Sequence, residues 1–590
     1  MDSIKNGSNT ININDIKNNV TNGNNTKSNG SAGRKIVIIG GISAGTSAAA
    51  KARRFSEEAE IVIYEKYKYI SYATCGLPYY VSEKISQSDD LLVNTASQFE
   101  HRFNLKVNVM SEVIKIDPAS KSITIKNLES GDVFSDNYDR LIIATGTAPL
   151  SFNQELLSFK NVFSLRTVDD ALQLKKYMGS APIAQKSDTV NAVIVGGGYI
   201  GLELLEAFLA KNYKVTIIEK FGQILPVFDK EIIEYIENYL GDKKVTILKE
   251  EEIKETQKDD DILTKIITSK GTVIAADVVV LSIGARSETK LAADCGITIG
   301  GSGAIEVNEF LETNITDIYA AGDCCECKDF TNNKKQSFNL ASIANIQGRC
   351  AGYNAAGGRS AYIDAIPTSI IKILDIVIGK TGMTLREAKK SGFNAKKIEL
   401  HSLNHAGYYP GASMMHMILV YDEATWAILG FQAVGREGID KKTDVMSVAI
   451  RAKMKVWELL TLNMSYQPAF GSAKDPLNML GMIGENIYKG EFKLIDVEEL
   501  RENIGGTNEN LTVLDVRSKK EYSMGHIETA INIPVDELRE NIDKLDKKSS
   551  VVVYCRTSYR SYLAYRILVN NGFENVRNLN GSYLSWARKI

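Results

Sequence analysis

Val193-Ile194-Val195-Gly196-Gly197-Gly198-Tyr199-Ile200-Gly201 is the stretch on which the fold turns. Three apolar residues in a row suit a strand buried on both faces. Glycines at 196, 198 and 201 permit a tight turn, close approach of backbone to a pyrophosphate, and tight packing of the next helix on the strand. A helix is expected through Ala210, then a second apolar strand over 215–218 ending at Glu219. Strand, glycine turn, helix and acidic strand end form a complete dinucleotide-binding fingerprint. Gly196, Gly198, Tyr199, Ile200 and Gly201 are the cofactor-binding candidates of the turn. Glu219 is placed to accept from an adenosine 2′-hydroxyl and to repel a 2′-phosphate, which favours NADH. Lys220 beside it leaves room for NADPH.

Moving upstream, Ile36-Val37-Ile38-Ile39 runs into Gly40-Gly41-Ile42-Ser43-Ala44-Gly45, a helix over 47–54 and a strand over 61–64 ending at Glu65-Lys66. The strict pattern wants glycine at 42, where Ile stands, so a ligand-free glycine turn competes with a nucleotide site here. Asp323, after the apolar stretch 318–321, favours the site, because an acidic strand end suits the ribityl and pyrophosphate region of FAD. Two further apolar strands stop at glycine turns, Leu141-Ile142-Ile143 before Ala144-Thr145-Gly146, and 278–281 before Ser282-Ile283-Gly284. The FAD and nicotinamide candidates thus add Gly40, Gly41, Ser43, Ala44, Gly45, Glu65, Lys66, Ala144, Thr145, Gly146, Gly284 and Asp323.

The chain has 590 residues, which suggests about four domains at roughly 150 residues each. Net charge of −2 gives no reason to expect nucleic acid or an anionic membrane as partner. No apolar run approaches the ~20 residues of a membrane span, and the N-terminus lacks a basic region followed by an apolar core. Seven unevenly spread cysteines are too few for a secreted disulfide framework, so a reducing, cytoplasmic location is expected.

Residues 1–33 are Asn-rich with isolated aliphatics and are expected to be a disordered tail, in which the triplets at Asn6, Asn19 and Asn24 follow from composition. The flavin unit is expected over 34–150 and 281–354, with the nicotinamide unit inserted over 151–280. Residues 355–485 lack a fingerprint and mix strands with helices, an α+β domain. A last α/β unit over 490–590 has strands at 513–515 and 551–554 and a helix over 559–570, stopped near Gly572.

Cys75, in Ile70-Ser71-Tyr72-Ala73-Thr74-Cys75-Gly76-Leu77-Pro78-Tyr79, follows the first fingerprint at the expected start of a helix, which favours thiolate. Disulfide reductases with a redox pair carry a second cysteine five residues later; here that position is Tyr80. Cys75 must therefore pair with a small-molecule thiol or persulfide, or oxidise to a sulfenic acid. Burial as a small apolar residue is the ordinary fate of a free cysteine and the competing reading. Cys324, Cys325 and Cys327 are dense, yet no His or further Cys pair follows at zinc spacing, and no metal is expected. Cys555 ends a strand before Arg556-Thr557-Ser558-Tyr559-Arg560, where a nest of backbone N–H groups with two arginines can hold an anionic persulfide, or equally a phosphate.

These residues resemble the coenzyme A-disulfide reductase family in the form fused to a C-terminal rhodanese domain, over about residues 34–590. The most specific pieces are Ser71-x-x-Thr74-Cys75-Gly-Leu-Pro-Tyr79, Asn404-His-Ala-Gly-Tyr-Tyr-Pro-Gly411 and Tyr466-x-Pro with Ser472-Ala-Lys-Asp-Pro476. Ser558 stands where many relatives have Gly, and the stretch ending at Asn345 departs from the usual Ala-Gly-Pro-Ala-Asn.

The resemblance implies two Rossmann-like FAD- and NAD(P)-binding domains, an α+β dimerisation domain and a C-terminal α/β rhodanese domain, assembled as a homodimer. It implies Cys75 as the redox thiol that forms a mixed disulfide with CoA, and Cys555 as the carrier of sulfane sulfur. Ser47, Lys51, Arg54, Ser71, Thr74 and Asn345 match CoA-contacting positions. Tyr408 or Tyr409, with Tyr466 and Lys474, are implied to complete the pocket from the partner subunit, Tyr466 also against the cofactor; Arg556 and Arg560 would face the sulfur donor. The activity implied is NADH-dependent reduction of CoA disulfide, CoA persulfide or polysulfide. Competing readings are an NADH oxidase or peroxidase cycling Cys75 through sulfenic acid, a chain that is chiefly a sulfurtransferase, and a non-catalytic redox sensor.

Overall fold

The computed structural model describes residues 33–150, 155–180, 183, 189–505 and 510–588. The Asn-rich segment 1–32, including Asn6, Asn19 and Asn24, lies outside the described residues.

Apolar runs become buried parallel strands. β1 (Lys35–Ile39), β2 (Glu60–Tyr64), β3 (Lys106–Asn108) and β4 (Arg140–Ile143) join a strand from far downstream, Ile318–Ala320, in the order 318–320, β4, β1, β2, β3. Ile36, Val37 and Ile38 are fully buried, each side chain contributing about 1.5–3 kcal/mol on removal from water. The second sheet repeats the plan with β5 (Val162–Phe163), β6 (Asn191–Val195), β7 (Lys214–Glu219), β8 (Thr246–Lys249) and β9 (Val278–Leu281), ordered β8-β7-β6-β9-β5; the strand over 318–320 is β10.

Glycines set the turn after each first strand. Gly40 and Gly196 have φ of +105° and +101°, and a Cβ on either would meet backbone of Ala144 or Ser282 within 2.5 Å. Ile42, standing where the strict pattern has glycine, has φ of −106°, which any residue tolerates. The departure from the pattern is therefore conformationally silent. Each turn opens a helix, α1 (Ser43–Phe55) and α3 (Tyr199–Glu203), while α2 (Leu77–Val81) follows Cys75.

α4 (Lys230–Asp242) flanks the second sheet, and α5 (Ala341–Ala355) lies against α1. The close fit comes from Gly348 and Gly352, whose added Cβ atoms would sit 2.2 and 2.1 Å from the carbonyl oxygens of Ala44 and Ala48.

An antiparallel sheet follows: β11 (Thr368–Ile373), β12 (Ile376–Gly382), β13 (Ala395–Leu403), β14 (Met414–Asp422) and β15 (Ile428–Gly435), ordered β11-β12-β15-β14-β13 and backed by α6 (Ile439–Arg451). The last unit is a parallel sheet of β16 (Leu494–Ile495), β17 (Leu511–Asp515), β18 (Ile531–Asn532), β19 (Ser550–Tyr554) and β20 (Val576–Leu579), ordered β16-β20-β19-β17-β18, with α7 (Tyr559–Asn570) and α8 (Ser582–Ala587). The expected strands at 513–515 and 551–554 and the helix over 559–570 are all present. Among the described residues no helix is long and apolar enough to cross a membrane.

Candidate functional site

The carboxyl ends of the two parallel sheets face one cleft of about 2030 Å³, the place where open α/β sheets bind ligands. Its walls carry Gly40, Gly41, Ser43, Ala44, Glu65, Lys66, Ala144, Thr145, Gly146, Gly196, Gly198, Tyr199, Ile200, Glu219, Gly284 and Asp323 from the expected cofactor set, together with Thr74 and Cys75. Gly45 and Gly201 lie beneath the turns; a Cβ on Gly45 would sit 1.8 Å from the Gly40 carbonyl oxygen, so its role is packing.

Both acidic strand ends brace their own turns. Glu65 accepts from the Gly41 N–H at 2.6 Å and the Tyr67 N–H at 2.9 Å. Glu219 accepts from Gly197 at 2.7 Å and Phe221 at 2.8 Å. Burial pushes the Glu65 carboxyl up, opposed by those N–H groups. Each carboxylate oxygen keeps a second lone pair for a ribose hydroxyl.

Asp323 is different. Its Oδ1 is buried without a hydrogen-bond partner, and burial pushes its carboxyl up to about 6, with Arg166 pulling it back. A buried acceptor left unmade costs about 1–3 kcal/mol. A hydroxyl of a bound flavin dinucleotide would supply the missing donor, so Asp323 and the Gly40 turn on the same cleft fit that group. The glycine cradles, closed to any Cβ, fit its pyrophosphate.

Cys75 is the exposed thiol of the chain among the described residues; Cys295 is half-buried and the other five are buried. It sits in the single turn Thr74–Gly76 that leads into α2, so the expected helix start is present but short. Tyr79, one turn on, donates to Glu203 at 3.4 Å; burial lifts this tyrosine to about 12, with Glu203 adding to it. Glu203 was missed from sequence. It ends α3 two residues past Gly201 and lines the same cleft, and burial pushes it up to about 7, a value that lets it exchange a proton near neutral pH. Its signal was available: an acid two residues beyond a nucleotide-binding glycine.

The outer faces of α1 and α5 carry the expected CoA contacts. Ser47 donates to Asn345 Oδ1 at 2.5 Å. Lys51 stands 4.7 Å over the Tyr353 ring, and its ammonium is pushed down by partial burial and by the neighbouring Arg349 and Arg54. Among the described residues these three cations form no ion pair with an acid, which suits phosphates. Arg349 was also missed, although it lies one helical turn beyond Asn345. Ser71 closes the set, in left-handed conformation with its N–H on the Gly41 carbonyl at 2.8 Å.

Tyr408, Tyr409, Tyr466 and Lys474 do not line this cleft within one protomer. Tyr408 and Tyr466 are 76% and 52% exposed, with hydroxyls 3.1 Å apart, and Tyr409 packs edge-on against His405. Cys324, Cys325 and Cys327 are core thiols whose pKa values burial raises, Cys327 to about 12.

In the last unit one backbone N–H of the Cys555 loop, that of Ser558, points at Cys555 Sγ at 3.2 Å. Ser558 holds φ of +85°, the left-handed conformation that glycine adopts without cost. Arg560, one of the two arginines expected at this loop, is shared between Glu521 and Cys555, each of which raises its pKa. Arg560 forms a two-pronged pair with Glu521, both contacts 2.7 Å, which holds Glu521 down to about 2. Arg556 is free of any such pair among the described residues.

These placements agree with the chain's likeness to known proteins. Residues 34–348 match the pyridine nucleotide-disulphide oxidoreductase family, 368–476 its dimerisation domain, and 496–589 the rhodanese-like domain. The chain is 34% identical over 451 residues to an NAD(P)H sulfur oxidoreductase (CoA-dependent) of Pyrococcus abyssi, covering 76% of this chain and 98% of the relative. The crystal structure of reduced Bacillus anthracis CoADR-RHD superposes with a TM-score of 0.89 at 34% identity, covering 94% of this chain and 98% of that one. An NAD-dependent persulfide reductase from A. fulgidus gives 0.86 at 32% identity over 94% and 100%. With two glycine cradles on one cleft, a lone exposed thiol in its wall and this likeness over nearly its whole length, the chain belongs to the pyridine nucleotide-disulphide oxidoreductase family, with a rhodanese-like domain at its C-terminal end.

Proposed function

We propose that this protein uses NADH to reduce CoA disulfide, CoA persulfide or polysulfide through a mixed disulfide between Cys75 and CoA, with Cys555 handling sulfane sulfur. One observation carries the reading: the exposed thiol on the cofactor cleft has Tyr80, a mostly buried aromatic, where a resolving cysteine would stand. Its sulfur partner must come from solution.

Bound FAD supplies the two-electron relay between nicotinamide and sulfur. The chain's own residues do the rest. The turns at Gly40 and Gly196 hold pyrophosphates, Asp323 accepts from a hydroxyl of the flavin side chain, and Glu219 takes the adenosine 2′-hydroxyl, which favours NADH over NADPH. Lys51, Arg54 and Arg349 hold the phosphates of CoA, while Ser47, Ser71, Thr74 and Asn345 line its path. Cys75 thiolate attacks the CoA disulfide; one S–S bond breaks, Cys75–S–S–CoA forms and a CoA thiolate leaves. Two electrons from NADH then split the mixed disulfide into Cys75 thiolate and a second CoA thiolate. With CoA persulfide the first leaving group is hydrosulfide instead.

Tyr408, Tyr409, Tyr466 and Lys474 complete the pocket from the second subunit of a homodimer. The working units are 34–150 with 281–354 for flavin, 151–280 for nicotinamide, 355–485 for dimerisation and 490–590 for sulfur transfer. Mass spectrometry of the purified protein under non-reducing conditions tests the reading. A CoA adduct on Cys75 is expected; a bare or sulfinylated Cys75 would turn it to an NADH peroxidase.

A further inference from the structure

The segment 580–585 is gripped from two sides. Toward the last unit it carries the Cys555 loop. Ser582 Oγ accepts from the Cys555 N–H at 3.2 Å and from Ser558 Oγ at 3.3 Å, with Ser561 Oγ 3.4 Å away. The N–H groups of Tyr583 and Leu584 donate to the carbonyls of Cys555 and Arg556 at 3.0 and 3.3 Å. Nearly every fixed point of the nucleophile's backbone therefore lies on this turn.

Toward the reductase body, β13 and α4 hold the same residues. Asn580 Oδ1 accepts from the Glu399 N–H at 2.8 Å, and its Nδ2 donates to the Lys397 carbonyl at 3.2 Å. Ser585 Oγ donates to Glu399 Oε2 at 2.7 Å and faces His401 Nε2 at 3.0 Å. The Tyr235 hydroxyl donates to the Leu584 carbonyl at 3.2 Å. Ser582 and Ser585 are fully buried. Gly581, with φ of +69°, lets the backbone run so close that a Cβ would sit 1.9 Å from Ser585 Oγ and 3.1 Å from Glu399 Cβ.

A contact that only joined two domains needs no such polarity, since well-packed apolar residues do as well or better than buried ions. Here a charge is kept in place deliberately. Burial works against ionised Glu399, yet Lys397 at 2.7 Å and His416 at 3.1 Å hold it well below the usual carboxylate range. An ionised acceptor orients the Ser585 hydroxyl more strongly than a neutral one.

We propose that the reductase body positions the sulfur-accepting loop: Glu399 fixes Ser585, α8 fixes Ser582, and Ser582 fixes the Cys555 backbone. Glu399, Ser585 and Ser582 are positioning residues for Cys555. The inference rests on the reading of Cys555 as sulfur acceptor, in which its thiolate takes the outer sulfur of thiosulfate as a persulfide, releases sulfite, and yields thiocyanate to cyanide.

The test uses the full-length flavin-loaded protein and Ser585→Ala, Ser585→Thr and Glu399→Gln. Hydrogen exchange of the peptide over 555–561 reads the loop without reference to chemistry; thiosulfate-to-cyanide transfer reads the reaction. Ser585→Ala is expected to speed exchange of that peptide and to lower kcat for transfer, each about tenfold, with KM for thiosulfate within about twofold. CoA-disulfide turnover at Cys75 is expected to stay at the parental level, which also reports an intact body. Ser585→Thr, keeping the hydroxyl, restores exchange and kcat, and Glu399→Gln behaves as Ser585→Ala. Parental exchange in both Ser585→Ala and Glu399→Gln, or no rescue by threonine, overturns the proposal. If the parent itself transfers no sulfur, the reading of Cys555 fails while the exchange measurement still decides the positioning.

Discussion

Asp323 brings a charge into a place that does not suit it until a ligand arrives. Its carboxyl has an ordinary value of 3.8 and burial lifts it to about 6, so in flavin-free protein its stabilising contribution is present at low pH and lost as pH rises through 6. The full difference is on the order of 3 kcal/mol. Asp323→Asn is therefore expected to raise the melting temperature of flavin-free protein about twice as much at pH 8 as at pH 5, and to weaken flavin retention, read by absorbance after dialysis. Cys75 makes a simpler demand. Cys75→Ser is expected to abolish NADH-driven cleavage of CoA disulfide while leaving flavin content unchanged, because a hydroxyl cannot carry the mixed disulfide.

At the scale of elements, two contacts depend on what is missing from a side chain. α1 and α5 meet through Gly348 and Gly352, where backbone oxygens of Ala44 and Ala48 occupy the space of a Cβ. Gly352→Ala must push whole helices apart, at about 1–3 kcal/mol. We expect a lower unfolding midpoint in urea with early flavin release, and a higher KM for CoA disulfide, since Ser47 and Asn345 straddle the same helix pair. The rhodanese-like loop shows the converse. Ser558 bears a left-handed backbone that costs about 1 kcal/mol for a residue with a Cβ. Ser558→Gly removes that cost and gives up only a hydroxyl contact at 3.3 Å, so sulfur transfer is expected to be retained or raised in a thiosulfate assay.

At the scale of the molecule, each protomer displays half of what the proposed pocket needs. Cys75 lies on the cleft, and the Tyr408–Tyr466 pair lies away from it on the exposed face of the dimerisation unit. Two-fold assembly makes such surfaces reciprocal. Cys75→Ser and the double variant Tyr408→Ala with Tyr466→Ala are each expected to be inactive on CoA disulfide. Unfolded together and refolded as mixed dimers, they are expected to recover about a quarter of parental turnover, because half the dimers are hybrids with one intact site. No recovery would place the tyrosines in their own protomer's chemistry.

Much of this molecule could be read along the chain because its information is local. Apolar runs such as Ile36–Ile39 must be buried, glycines such as Gly40 and Gly196 must take positive φ, and an acid ending a strand must face the turn beside it; each follows from a few neighbouring residues. The sulfur chemistry was legible for the same reason, since Tyr80 in place of a second cysteine needs no fold to be seen. What tertiary structure alone decided involves partners far apart in sequence. Glu521 pairing with Arg560, Arg349 joining Lys51, the unpartnered oxygen of Asp323 and the grip of Glu399 on Ser585 depend on how separate elements dock, and the energy of a buried charge is set by everything packed around it rather than by the residues on either side.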